Sequence, residues 1–299
     1  MVASLSAYTG ASGATRIAEA QGLMNEDAQA ALTMLTQQLS MAGNNPDQIN
    51  RVDSSVRNPI YSPHGSTTFI ILGCDGNFTN TTETATTSLN ELNCAAGATT
   101  SPDSIAVNYE ADAFNTIPNS SGLPTDCLGN KLTEITSSVS AIDTTTLSLP
   151  TVTTVTSSVN YYVADNRYYI DTENSRPSLY CKGNGNASSQ ALVDNIEDMQ
   201  FTYGTMNATA GPTATVAGYL TAAQVIASSD LAALPDDAAR WTKVITVRIC
   251  VLVRSERPVV TDAASASYTK CDGEVDTTKT DLRLRRAFST TVVLKNRRI

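Results

Sequence analysis

Residues Ala14 to Asn45 read ATRIAEAQGLMNEDAQAALTMLTQQLSMAGNN, and the fold follows from them. Ile17, Ala20, Met24, Ala28, Leu32, Leu35, Leu39 and Ala42 recur at steps of three or four, which predicts one buried stripe on a long helix. No proline interrupts the run, and Gly43-Asn44-Asn45-Pro46 supplies a left-handed stop followed by a residue that cannot continue a helix. Gly22 is the weak point, costing about 1 kcal/mol against alanine. Arg16, Glu19, Asn25, Glu26, Gln29 and Gln37 occupy the opposite side, so the helix needs a hydrophobic sheet beneath it and water or a polar partner above. The preceding MVASLSAYTGASGA is small, uncharged and largely apolar, without the basic flank and cleavage site of a signal peptide. It reads as the last turns of a longer hydrophobic helix.

What lies downstream is β-rich. TTFIILG (67–73) and SIAVNYE (104–110) read as strands, the second half-buried by its alternation. The Thr/Ser tract 131–160 reads as short solvent-facing strands, and NYYVADNRYYI (160–170) with PSLYCK (177–182) as a tyrosine-rich ribbon around a turn at 171–175. In ALVDNIEDMQFTY (191–203), Met199, Phe201 and Tyr203 share a face that Leu192 and Ile196 miss, which predicts a bulge or a late strand start. A short helix is expected over 219–230. WTKVITVRICVLVR (241–254) is the strongest strand, with Ile245, Val247, Ile249, Val251 and Val253 on one face, and belongs at a sheet centre under the long helix. LRRAFSTTVVLK (284–295) closes the chain as a last strand. The expected class is α+β, divided into a helical segment 1–45 and a β-rich head 46–299.

Composition narrows the function. Charged residues make up 16%, below the roughly 25% usual for soluble domains, and Thr, Ser and Asn fill the difference. A formal charge of −9 argues against nucleic acid or anionic lipid as the main partner. Cys74, Cys94, Cys127, Cys181, Cys250 and Cys271 are even in number, with no CxxC and no histidine nearby, so disulfides outside the cytoplasm are expected rather than a metal. Sequential pairs, Cys74 with Cys94, Cys127 with Cys181 and Cys250 with Cys271, are the expected connectivity, because the first and last flank turn-rich segments. The alternative is a buried free thiol, most plausibly Cys250.

No motif points to catalysis or to a cofactor. The single histidine, His64, sits in a proline-broken connector and reads as a surface residue. Glu197-Asp198 and Asp236-Asp237 are adjacent carboxylates that would face opposite ways on a strand, and read as exposed loop charge. Asp75-Gly76-Asn77 lacks the later glycine and glutamate of a calcium loop. Arg283, Arg285, Arg286, Lys295, Arg297 and Arg298 read as a solvated strand edge, with a docking face for an acidic neighbour as the functional alternative.

The segments RIAEAQGLMNEDAQAALTMLTQQLSMAGNNP (16–46), SLYCKGNG (178–185), LVDNIEDMQFTYG (192–204), WTKVITVRICVLVRSE (241–256) and LRRAFSTTVVLKNR (284–297) resemble, in this order, the PilW family of type IV pilus minor pilins. They are more distantly similar to the large J-type pseudopilins of type II secretion. The resemblance implies a pilin-like fold: a long N-terminal helix, its first half embedded in the inner membrane before assembly and buried in the filament afterwards, packed on antiparallel sheet with disulfide-tied loops. It also implies a non-enzymatic subunit that joins sibling minor pilins, primes polymerisation of the major pilin and sits near the pilus tip with an adhesin. The family's prepilin peptidase motif, the glutamate after it and most of the hydrophobic half-helix have no counterpart in these residues, and Val2 to Ala14 would be the tail of that segment. Ala3, Leu5, Tyr8 and Ile17 are the expected subunit contacts, since a head cannot cover a projecting helix end. A pseudopilin at a type II pseudopilus tip is the alternative within the class. An extracellular carbohydrate- or surface-binding module using the tyrosine ribbon is the alternative outside it.

Overall fold

A computed structural model describes residues 2–46, 58, 69–79, 92–95, 101–142, 154–186, 188–209 and 215–296, with side chains from residue 12 onward except those of 139, 141 and 157. His64, Arg297, Arg298 and nearly all of the expected connector 47–66 fall outside these residues. The chain opens with helix α1 (Val2–Met41). Its buried positions are Ala20, Met24, Ala28, Ala31, Leu35, Leu39 and Ala42. Ala31 thus takes the place expected for Leu32, which is only half-buried: the smaller side chain lets the helix approach the sheets closely. Gly43 adopts φ +71° and donates its N–H to the Asn108 carbonyl at 2.9 Å, so the expected left-handed stop also ties the helix end to the sheet.

Six strands form the first sheet: β1 (Ile71–Cys74), β2 (Ser104–Ala111), β3 (Glu134–Ile142), β4 (Thr154–Glu173), β5 (Arg176–Lys182) and β6 (Gln190–Asp194). The order is β1-β2-β4-β5-β6, with β3 paired to the outer part of β4. A second sheet is built from β7 (Ile196–Thr205), β8 (Gly218–Leu220), β9 (Val244–Arg254) and β12 (Arg285–Val293), ordered β12-β9-β7-β8. Between β8 and β9 lie helices α2 (Ala222–Ala227) and α3 (Asp237–Trp241), and a small hairpin of β10 (Tyr268–Thr269) and β11 (Val275–Asp276) precedes β12. All named pairings are antiparallel. Helix α1 packs on β12, β9, β6 and β2, so its stripe, both sheets and Trp241 share one continuous core.

Several expectations are corrected. β2 is buried on both faces except at Glu110 and is not half-buried, because it sits inside the first sheet between β1 and β4 with α1 packed on it. The phase slip in 191–203 comes from a break between sheets: Asn195, at φ +63°, ends β6 and sends β7 into the second sheet, and a register shift follows between Ile196 and Asp198. Trp241 ends α3 and meets Tyr203 edge-on at 4.8 Å, so the central strand begins at Val244. Within the Thr/Ser tract the strands are not short: β3 has 9 residues and β4 runs for 20, its inner half continuing into the sheet. Arg285 is buried rather than a solvated edge residue, and it binds Glu197 at 2.7 Å and Asp281 at 2.7 Å. Glu197 and Asp198 are half-buried and paired, not exposed loop charge.

Candidate assembly surface

The upper end of α1 leaves the sheets behind. Side chains 12–19 are exposed or half-buried, and the first buried one is Ala20. From Val2 to Glu19 the helix runs about 27 Å at 1.5 Å per residue. Of the four expected contact residues, Ile17 is half-buried at this boundary; Ala3, Leu5 and Tyr8 lie in the helical backbone, but their side chains are outside the described ones. Sequence reasoning missed Leu23, which is 56% exposed. A signal was present, because Leu23 is a large apolar residue lying off the buried stripe.

Beside Leu23 a groove of about 580 Å³ runs between α1 and the chain following β9, with Ala20, Leu23, Met24 and Val259 supplying apolar surface. Its rim is charged and self-neutralising. Arg176 pairs with Asp194 at 2.9 Å and with Glu256 at 3.2 Å, half-exposed contacts worth about 0 to 1 kcal/mol each. The Asn195 amide donates to the Asp27 carboxylate at 3.2 Å, fastening the helix to the hinge between the sheets. Burial holds the Asp27 carboxyl above the usual range, against the pull of that hydrogen bond.

Three disulfides tie the loops to this frame in the expected order: Cys74–Cys94, Cys127–Cys181 and Cys250–Cys271. Cys250 is therefore not a free thiol. The Cys127–Cys181 bridge holds the long loop between β2 and β3 against β5, where the Asp126 carboxylate accepts N–H bonds from Leu128 at 2.9 Å, Asn130 at 2.9 Å and Gly185 at 3.0 Å. Gly183 is required there: a Cβ on it would lie 2.3 Å from the Asp126 carboxylate. The glycines of SLYCKGNG thus serve a close loop-to-strand approach.

Among the described residues, the acidic hollow is occupied by structural bonds. This space of about 270 Å³ is lined by Asp75, Asp103 and Asp198, and each carboxylate is engaged. Asp75 caps α2, accepting from the Thr221 hydroxyl at 2.5 Å, the Ala222 N–H at 2.7 Å and the Ala223 N–H at 3.1 Å. Asp103 accepts from the Phe201 N–H at 2.7 Å and joins the sheets; burial, reinforced by Asp75 and Asp198, pushes its carboxyl up to about 8. Asp198 accepts from the Met199 N–H and the Gln200 amide. Among the described residues no group of three His, Cys, Asp or Glu side chains could hold a metal. The tyrosine ribbon is packed rather than open: Tyr161, Tyr168, Tyr169 and Tyr180 are buried, and Tyr169 stacks on Tyr180 at 5.8 Å. That packing removes the aromatic platform a sugar-binding module would need.

Among the described residues no helix is long and apolar enough to cross a membrane. Residues 161–296 match the family model PilW, type IV pilus-assembly protein W, and the resemblance seen in the sequence holds over that stretch. The match covers the inner part of β4 through β12 and leaves α1 outside. No curated protein and no solved structure matches the chain. Over that stretch the chain is similar to a family of structural proteins of type IV pilus assembly, and with three disulfides this points to an extracytoplasmic setting.

Proposed function

We propose that this protein is a PilW-family minor pilin with a pilin-like fold, in which segment 1–45 is the filament-forming helix and segment 46–299 the head. Its work is assembly: with sibling minor pilins it starts polymerisation of the major pilin and stays near the tip beside an adhesin, having been held at the inner membrane beforehand. The observation that carries this reading is the emergence of α1 from the head, with side chains 12–19 exposed or half-buried and Leu23 exposed beside a charge-rimmed groove. Apolar surface on an extended helix normally marks an interface, and a family of pilus-assembly proteins supplies its partners. Ala3, Leu5, Tyr8 and Ile17 are the contact residues of this reading. Co-purification with the sibling minor pilins tests it: Leu5→Asp and Tyr8→Asp abolish capture if the helix end is the interface, and undiminished capture rejects those contacts.

A further inference from the structure

The most exposed large apolar side chains among the described residues lie not on the helix but on the stapled loop. Phe114 is 98% exposed and Ile117 is 82% exposed. Exposure alone is common for single residues, but here the backbone beneath them is held with unusual care. The Asp112 carboxylate accepts from the Phe114 N–H at 2.7 Å and from the Asn115 N–H at 2.8 Å. Asn115 returns the bond, its side-chain oxygen accepting from the Asp112 N–H at 2.8 Å and its amide donating to the Glu110 carbonyl at 2.9 Å. The Thr116 hydroxyl donates to the Asp112 carbonyl at 2.7 Å, and the Thr125 hydroxyl donates to the Ile117 carbonyl at 2.6 Å. The Cys127–Cys181 bridge then fixes the loop to β5. A turn pinned on every side, with its largest apolar group held out in water, matches a preformed binding anchor, because little freedom remains to be lost on docking.

The surroundings define what it fits. Beside Ile117 a hollow of about 370 Å³ is bordered by Met34 and Leu128, so the apolar surface continues from the knob onto the side of α1. Met34 is 37% exposed and stands eleven positions after Leu23, three helical turns along the same line. Residues 101–130 contain Asp103, Glu110, Asp112 and Asp126 but no Lys, Arg or His, and Asp112 is exposed beside the knob. A convex apolar group next to a carboxylate calls for a concave apolar pocket with a cation on its rim.

From this geometry we infer that the 112–117 turn is a second, head-borne contact point. It inserts Phe114 into an apolar, basic-rimmed pocket on the head of a neighbouring pilus subunit, and Ile117 and Met34 seal the margin. The inference rests on the assembly reading above, which supplies the neighbour, but it concerns a different surface of the molecule.

The test uses the full chain in its own pilus-producing cells, with a photoreactive phenylalanine analogue at position 114 and, separately, at position 17. The expected result at 114 is an adduct with another pilus subunit, mapped to an apolar segment flanked by Lys or Arg and reduced by added salt. Phe114→Ser should weaken capture of that subunit about tenfold or more, while the purified protein keeps its thermal midpoint because the side chain supports no packing. Adducts only with other copies of this chain, adducts only with proteins outside the pilus, or full binding by Phe114→Ser each overturn the inference. If position 17 crosslinks to pilus subunits and position 114 does not, the head contact fails and the helix reading survives; if neither does, both fail.

Discussion

Leu35 and Leu23 stand on the same helix twelve residues apart, one 1% exposed and the other 56%. Phe201 and Phe114 make the same contrast in the head, at 1% and 98%. In each pair one residue lies in the continuous core shared by α1 and the two sheets, and the other lies where the described residues leave it largely uncovered. Apolar side chains therefore fall into a covered set and an uncovered set here. Those in the stripe and on β7 and β9 hold the fold, whereas those beyond Ala20 and on the stapled turn contribute almost nothing to it. A protein that both folds and associates needs this separation, because a surface spent on its own core is lost to a partner.

The largest expected effect lies on the closed side. Leu35→Ala removes a buried side chain between the helix and both sheets, and should cost about 2 to 5 kcal/mol of unfolding free energy. Denaturant unfolding of the purified chain measures it. A loss below about 1 kcal/mol would mean that α1 is held mainly by polar ties, the Gly43 bond to Asn108 and the Asn195 bond to Asp27, and the contrast with Leu23 would vanish.

Asp103 sharpens the same contrast through pH. Its carboxyl is buried at the junction of the sheets and pushed up to about 8, whereas Asp281, beside Arg285, is held down to about 2. The signs are opposite. A raised carboxyl keeps its proton in the folded protein after the unfolded chain has lost it, so the Asp103 contribution is complete below about pH 4 and is lost as pH rises towards 8, by at most about 1.4 kcal/mol per pH unit. The Asp281 contribution is present above about pH 4 and is lost as pH falls towards 2. Asp103→Asn keeps an oxygen for the Phe201 N–H and should flatten the decline between pH 4 and 8 while leaving the acid limb intact. Urea titrations at several pH values check this, and an unchanged slope would show that the decline belongs to other groups.

The parts that were legible in the sequence were those governed by local period. The α1 stripe, the strand around Val247–Val253 and the turn between the tyrosine strands follow from spacing, and the first and last cysteine pairs from the turn-rich segments they flank. Misreadings arose where tertiary packing overrode pattern. Alternation in β2 predicted a wet face that is buried in the fold, and Asn195 looked like part of one bulged strand because a change of sheet leaves no mark beyond a phase slip. Arg285 looked like surface charge because its two acidic partners, Glu197 and Asp281, are 88 and 4 positions away. Of the proposed assembly surface, the helical backbone of the first residues follows from the sequence pattern. Phe114 does not, because one phenylalanine in a Pro/Ser/Gly loop has no periodicity to reveal whether it points inward or outward.

The smallest expected effect on folding belongs to Leu23, and for that reason it discriminates best. A side chain more than half exposed beside an open groove has little contact to lose, so Leu23→Ser should change stability by no more than about 0.5 kcal/mol. Because serine is also a somewhat poorer helix former than leucine, the control is Leu23→Gln, which keeps helix propensity and removes only apolar surface. Both variants should unfold at the denaturant concentration of the parent yet bind sibling pilus subunits several-fold more weakly, since on complex formation the groove and Leu23 would be covered together. If Leu23→Gln instead lowers stability by about as much as Leu35→Ala, the groove is closed in solution by this chain's own residues. Leu23 would then belong with the core, and the assembly surface of α1 would be confined to the residues before Ala20.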